Sequence, residues 1–286
     1  MNFFKRLTPK SIKRVLIYKI IMPYRLATAK KRALPNFIII GAQKSGTTSL
    51  HNYLSQHPQL LAASRKEVQY FDGGLIPEIN TFKKGENWYR SHFPLIKKLG
   101  KNCQTFDANP NYIFNPVVPK RIFKLIPNAK LVVVLRNPTE RAISHYFHME
   151  RKNFDTLPML EAMKEEENRL KEILEHEDYK NRSFRRHSYK LRGHYKEQIE
   201  RYLKYFSKEQ IHIISSEEFF NHPEKALKNI FNFIGVDSSF KVKDLKPKNV
   251  SENRNKVNNV VYSYLDSYFS THNKALFNLI EKKFDW

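Results

Sequence analysis

The 286-residue sequence contains a single cysteine, Cys103. That excludes a disulfide framework and a zinc site built on cysteines, and it suits a reducing compartment. The 11 histidines fall in no H-E-x-x-H or comparable cluster, so no metal is expected. Acidic residues are scarce: 28 Asp and Glu stand against 51 Lys and Arg, a net charge of +23. Such an imbalance favours polyanionic partners, whether nucleic acid, anionic lipid, acidic glycan or nucleotide, without choosing among them. Long apolar runs are missing. Lys5, Arg6, Lys10, Lys13, Arg14 and Lys19 interrupt the N-terminal stretch, and nothing approaches the ~20 residues that span a bilayer. With 41% hydrophobic and 13% aromatic residues, the chain is nevertheless not disordered. Its length suits one α/β domain with insertions.

Glycine is also sparse, eight in all, so two of them bracketing one short turn stand out. Phe37-Ile38-Ile39-Ile40 is a continuous apolar run, β-branched at three of its four positions, and predicts a short strand buried on both faces. Gly41-Ala42-Gln43-Lys44-Ser45-Gly46-Thr47-Thr48-Ser49 follows, and Leu50, Tyr53 and Leu54 at helical spacing predict a helix from about Thr47. A strand, a tight turn and a helix N-terminus bring backbone N–H groups, the positive end of a helix dipole and the Lys44 charge to one point, which makes an anion site. The spacing is not that of a Walker A loop, in which lysine follows the second glycine. An ordinary tight turn with Lys44 in solvent is the plainer reading of the same residues.

Residues 1–34 form a basic, partly amphipathic segment ahead of a domain spanning 35–286. Ile12, Val15, Leu16 and Ile20 share one helical face. This reads either as an interfacial helix on an anionic membrane or as a helix docked on the domain. Further strands are predicted at Asn102–Phe106, Lys130–Leu135 and Ile211–Ser215, with helices at Asn115–Ile126, from Pro138 to about Lys152, at Tyr195–Phe206, at Pro223–Ile234 and within Val257–Phe284. Residues 57–100 read as irregular, and 241–256 as a basic loop. Strands alternating with helices imply a mainly parallel sheet flanked by helices, with ligands at the carboxyl ends of its strands. A second strand-to-helix turn, Arg136-Asn137-Pro138, places Arg136 at a strand end. Ser144 lies two helical turns on, sharing a face with Arg141 and Asn137. A guanidinium with a hydroxyl suits phosphate, although arginines after strands also form surface ion pairs.

The stretch Q-K-S-G-T-T-S-L resembles the 5′-phosphosulfate-binding loop of sulfotransferases that use 3′-phosphoadenosine 5′-phosphosulfate (PAPS). It is closest to the carbohydrate enzymes of heparan sulfate type and their bacterial relatives. L-R-N-P-x-x-R-A-x-S-x-Y, from Leu135 to Tyr146, resembles the family's 3′-phosphate motif. K-E-V-Q-Y-F, from Lys66 to Phe71, is similar to the segment that carries the group's proposed base, and D-A-N-P-N-Y, from Asp107 to Tyr112, is similar to a neighbouring one. In the latter, Ala108 stands where heparan sulfate enzymes have lysine, a departure that bears on acceptor recognition. Arg192-Gly193-His194-Tyr195 resembles a bacterial R-G-x-Y segment near the nucleotide, and Lys248 with Arg254 resembles a late basic loop that closes over the phosphates.

The resemblance implies a P-loop-NTPase-like three-layer sandwich and an in-line transfer of a sulfuryl group from PAPS to a hydroxyl, or less readily an amine, of a carbohydrate. Glu67 would be the general base. Lys44, Ser45, Gly46, Thr47, Thr48 and Ser49 would hold the 5′ side of the nucleotide and Arg136 and Ser144 the 3′-phosphate, with Tyr195, Lys248 and Arg254 nearby. Without the family, Glu67 reads as a surface ion pair with Lys66 or Arg65. Some sulfotransferases use a histidine base, so His51, His57 and His92 are outside candidates. Magnesium is not expected, because lysine and backbone dipoles supply the countercharge. Golgi relatives carry a transmembrane anchor, and its absence points to a bacterial, cytoplasmic enzyme acting on a glycan. Peripheral contact of 1–34 with an anionic membrane stays one of the two readings of that segment. Basic patches form no recognisable nucleic-acid module, so no specific nucleic-acid partner is expected, and the oligomeric state is left open. The alternatives are a P-loop kinase using ATP and magnesium and a nonenzymatic polyanion-binding protein.

Overall fold

The computed structural model describes residues 16–248 and 257–286. The first half of the amphipathic N-terminal stretch and Arg254 lie outside the described residues. Five strands form one sheet: β1 (Phe37–Gly41), β2 (Leu60–Ala62), β3 (Gln104–Ala108), β4 (Lys130–Leu135) and β5 (Ile211–Ser215), in the order β2-β3-β1-β4-β5. Every neighbouring pair is parallel. β1 is therefore central, and the chain builds outward from it on both sides. The carboxyl ends of β1, β3 and β4 converge, which is where an open parallel sheet gathers its ligands.

Alternation along β1 and β4 splits the core into two layers. Phe37, Ile39, Val132 and Val134 pack with Leu50, Tyr53, Leu227 and Ile230 on one face. Ile38, Ile40, Leu131 and Val133 pack with Tyr112, Ile122, Ile199 and Tyr202 on the other. Both faces being covered explains why these strands read as unbroken apolar runs. A third cluster joins the helix Pro138–Glu150 to the long helix Asn259–Ile280 through Ile143, Tyr146, Leu265 and Phe269.

Helix boundaries follow local chemistry. Pro138 starts its helix, and the Asn137 side chain caps it by accepting from the N–H groups of Thr139 and Glu140. Pro223 starts the helix Pro223–Ile234, and Gly235, at φ +83°, ends it. The strands at 130–135 and 211–215 form at the predicted bounds, whereas β3 begins two residues later than expected. Asp107 and Ala108 extend the strand past the expected end at Phe106. β2 was not predicted, since three edge residues carry too little pattern. The helix Ser216–Asn221 was also missed; Ser215 caps it, its hydroxyl accepting from Glu218 N–H at 2.9 Å.

Within 16–34, a π-helical stretch Ile17–Ile21 leads into the helix Met22–Ala27. Arg25 and Arg32 fasten this segment to the body, donating to the Phe93 carbonyl at 3.0 and 2.8 Å. Ile20 and Tyr24 remain exposed. Among the described residues, no helix is long and apolar enough to cross a membrane.

Candidate active site

The loop after β1 owes its path to both glycines. A Cβ on Gly41 would come within 2.3 Å of Ile113 Cγ2, so only glycine lets the Pro110–Ile113 turn lie against the strand end. Gly46, at φ +93°, turns the chain into the helix Thr47–Leu54, and a Cβ there would sit 2.8 Å from the Phe220 ring. The first N–H groups of a helix have no intrahelical partner, and here no side chain caps them, which leaves them available to an anion. Lys44 is itself in the left-handed region, at φ 72°. A lysine holds that conformation only where the surroundings impose it.

A cavity of about 690 Å³ opens at these strand ends. Gln43, Lys44, Gly46, Thr47 and Thr48 line it from the first loop, Arg136 and Ser144 from the second, with Lys66, Glu67 and Lys248 also on its wall. The two turns touch, Arg136 Nη1 donating to the Lys44 carbonyl at 3.1 Å. Arg136 also pairs with Glu140 at 2.9 Å, and its own carbonyl accepts from the buried Tyr195 hydroxyl at 2.9 Å. Tyr195 therefore holds the Arg136 backbone from behind and does not line the cavity. Nor do Ser45 and Ser49. Ser45 Oγ is buried without a hydrogen-bond partner, and Ser49 Oγ accepts from Lys248 N–H at 2.9 Å, tying the late basic segment to the first loop.

Glu67 reaches the cavity by an unusual route. Its N–H donates to the Ala108 carbonyl at the end of β3, at 2.9 Å. Glu67 and Gln69 both have positive φ, 61° and 58°, so the chain kinks on either side of Val68, which is buried while Glu67 faces the opening. Glu67 Oε1 also accepts from Lys66 Nζ at 2.7 Å, so the simple ion-pair reading and the site reading describe the same carboxylate. Behind it, the buried Asp107 carboxylate accepts from the hydroxyls of Tyr89 and Tyr112 at 3.1 and 3.4 Å. Burial raises its pKa to about 6. Asp107 braces the strand end and is not on the cavity wall.

His148 is a site residue that the sequence reading missed. It continues the helical face of Ser144 by one turn, and that spacing is the signal that could have found it. Its imidazole lines the 690 Å³ cavity and also an adjoining one of about 260 Å³. Burial, and then Lys44, Lys152 and Arg151, lower its pKa to about 4, so it is neutral at physiological pH. His51, His57 and His92 are absent from both walls. The structure also gathers His194, Glu197 and His272, with ligand atoms all within 4.8 Å of one another. His272 is distant in sequence from the other two; the trio lies outside both cavities, and His194 bonds the Tyr268 hydroxyl at 2.9 Å.

The electrostatics point to a multivalent anion. Burial, followed by the charges of Arg151, Arg136, Arg141 and Lys152, lowers the Lys44 pKa from 10.5 to about 8. Among the described residues no carboxylate lies within ion-pair distance of Lys44. An anion bound against it raises that pKa again. Above about pH 8, binding must therefore draw a proton onto Lys44, and affinity should fall by up to tenfold per pH unit. Titration calorimetry with adenosine 3′,5′-bisphosphate, in buffers of differing ionisation heat, is expected to show proton uptake in that range. Binding with no proton exchange would contradict this environment for Lys44.

A wholly parallel α/β sheet whose central strand runs through a glycine-bracketed loop into a helix is the P-loop-NTPase-like architecture. Residues 34–286 match the sulfotransferase domain family, and the chain belongs to it. It is 30% identical over 326 residues to the membrane-associated sulfotransferase kil1 of Dictyostelium discoideum, covering 90% of this chain and 67% of that protein. It is 28% identical over 214 residues to the bifunctional heparan sulfate N-deacetylase/N-sulfotransferase 2 of Bos taurus. That match takes in 71% of this chain and 22% of the relative, so the chain spans about a fifth of its length. A sulfotransferase crystal structure from Alicyclobacillus acidocaldarius superposes with a TM-score of 0.70 at 29% identity, over 88% of this chain and 98% of that one. A mouse sulfotransferase solved with PAP shares the fold, at TM-score 0.51 and 17% identity.

Proposed function

We propose that this protein transfers the sulfuryl group of PAPS to a hydroxyl, less readily an amine, of a carbohydrate acceptor. The observation that carries the reading is the contact between the two turns: the Arg136 guanidinium donates to the Lys44 main-chain carbonyl at 3.1 Å, and both residues line one cavity that also exposes Glu67. A kinase loop would place its lysine after the second glycine. The similarity to heparan sulfate N-sulfotransferases supports a glycan acceptor and keeps the amine open.

The first loop would hold the 5′-phosphosulfate through Lys44, Thr47, Thr48 and the free N–H groups of the helix terminus. Arg136 and Ser144 would hold the 3′-phosphate, which ATP lacks. PAPS supplies a sulfuryl group on a good phosphate leaving group. Glu67 takes the proton of the acceptor hydroxyl as the new oxygen–sulfur bond forms. Lys44 and the loop amides stabilise the charge that grows on the bridging oxygen as the old bond breaks. Lys248, tied to Ser49, closes one side of the cavity.

The test is a thermal-shift screen of adenosine 3′,5′-bisphosphate, PAPS, ATP with magnesium, and nucleic acid. The bisphosphate should stabilise the protein by about 2.7 kcal/mol at a hundredfold excess over its Kd, and ATP with magnesium by much less. Arg136→Ala should weaken bisphosphate binding roughly 10- to 150-fold, the worth of a charged hydrogen bond. Stabilisation by ATP with magnesium and not by the bisphosphate would overturn the reading in favour of a kinase. Stabilisation by nucleic acid alone would favour a polyanion-binding protein.

A further inference from the structure

The 260 Å³ cavity shares Gln43, Glu67, Asn111 and His148 with the larger one, so Glu67 stands between the two. The rest of its wall carries four cations, Lys152, Arg182, Arg185 and Arg186, beside Gln69, Leu75, Met149 and Phe154; Arg182 lies 4.0 Å from Glu78. The Arg186 guanidinium lies 3.6 Å over the Phe154 ring. Among the described residues no carboxylate lies within ion-pair distance of Lys152, Arg185 or Arg186. Arg185 instead donates to the Leu75 carbonyl. The pocket is thus poised for an anion beside the group that would deprotonate the acceptor.

Leu75 on that wall begins a segment of the opposite character, which continues past the cavity through Ile76 and Ile79. Leu75, Ile76 and Ile79 are 40%, 51% and 44% exposed. The segment is not loose, because Lys180 Nζ donates to the carbonyls of Ile76, Pro77 and Ile79 at 3.0, 2.9 and 2.7 Å, and Thr81 N–H closes back on the Gly73 carbonyl at 3.0 Å. A lysine spent on three carbonyls fixes the backbone so that three large apolar side chains within five residues stand in water. Scattered exposed apolar residues are ordinary, but a fixed apolar group beside a cationic pocket complements an amphiphile.

We propose that the acceptor is an anionic, lipid-linked compound. Its charged headgroup enters between Lys152, Arg185 and Arg186 and offers a hydroxyl to Glu67, while Leu75, Ile76 and Ile79 rest in the lipid surface. A soluble acidic polymer would account for the cations and leave the three apolar side chains without a role. This rests on the sulfotransfer reading above, in which the smaller cavity is the acceptor side.

The N-terminal segment also exposes Ile17, Ile20, Ile21 and Tyr24, so vesicle binding alone would not report on the pocket. A reporter on the apolar segment does. The full-length Ile76→Trp variant, saturated with adenosine 3′,5′-bisphosphate, is mixed with vesicles of brominated phosphatidylcholine containing phosphatidylglycerol, and fluorescence quenching is read against the parent protein. Quenching is expected, and it should be much weaker on neutral vesicles. Adding Lys152→Gln and Arg186→Gln should weaken the affinity roughly 30-fold, since each basic residue contributes about fivefold at an anionic surface. Absence of quenching, equal quenching on neutral vesicles, or full reversal by soluble glycerol phosphate overturns the proposal. The thermal shift with bisphosphate, measured on the same sample, separates the two failures. If the nucleotide binds and the apolar segment stays unquenched, only the lipid-linked acceptor is wrong; if the nucleotide does not stabilise the protein, the sulfotransfer reading itself fails.

Discussion

Lys44→Ala is expected to lower kcat roughly 10²- to 10³-fold, the cost of removing one preorganised donor from developing oxyanion charge. The structure gives the effect its size. Lys44 sits at a strand end, in a left-handed conformation set by the loop, with its ammonium among Arg136, Arg141, Arg151 and Lys152. Those neighbours keep the site cationic in the variant, so a bound nucleotide still finds attraction. The loss should therefore fall more on turnover than on Kd for the bisphosphate. Lys44→Arg keeps the charge but changes its reach, and should recover binding with only part of the rate. Steady-state turnover with labelled PAPS, set beside calorimetry on the same preparations, separates these effects. An alanine variant that turns over like the parent protein would remove Lys44 from the chemistry.

The second large effect is expected at Glu67. Glu67→Gln preserves shape and can still accept from Lys66, but it cannot take a proton. General-base removal costs about 10²–10⁴-fold. KM for PAPS should change little, because the carboxylate is not among the groups assigned to the nucleotide. The comparison that gives this test its force is His148→Gln. His148 is neutral and faces both cavities, so it is the one other group on the shared wall able to accept a proton. If Glu67→Gln retains most of the rate while His148→Gln loses it, the base is the histidine and Glu67 serves only to position Lys66.

Much of this was readable along the chain. The strands at 37–41 and 130–135 are apolar runs covered on both faces, and such runs show in composition alone. The loops that follow them carry their meaning in two glycines, a lysine and an arginine–asparagine–proline turn, each acting within a few residues of itself. The helix starts at Pro138 and Pro223 and the stop at Gly235 are likewise local. β2 was not readable, because three edge residues have no period to detect. His148 belonged to a face already noticed, but whether that face meets a cavity depends on what packs around it.

Glu67 shows where local reading stops. In sequence it is a charge between a lysine and a valine, and its ion pair with Lys66 would satisfy that description. What turns it into the cavity is the bond from its N–H to the end of β3 and the two positive-φ residues that flank Val68. Tyr195 is the converse, a residue whose motif suggests a nucleotide contact and whose packing puts it behind Arg136.

The sequence by itself determined the class of sheet, the two strand-to-helix turns and the excess of positive charge, because each arises from periodicity, backbone geometry or composition over short stretches. Only the tertiary structure decided that the two turns share one cavity, that Glu67 stands between that cavity and a second, and that fixed apolar side chains stand beside a cationic pocket. Those relations join residues from 43 to 186, and nothing but the packing of strands and helices brings them together.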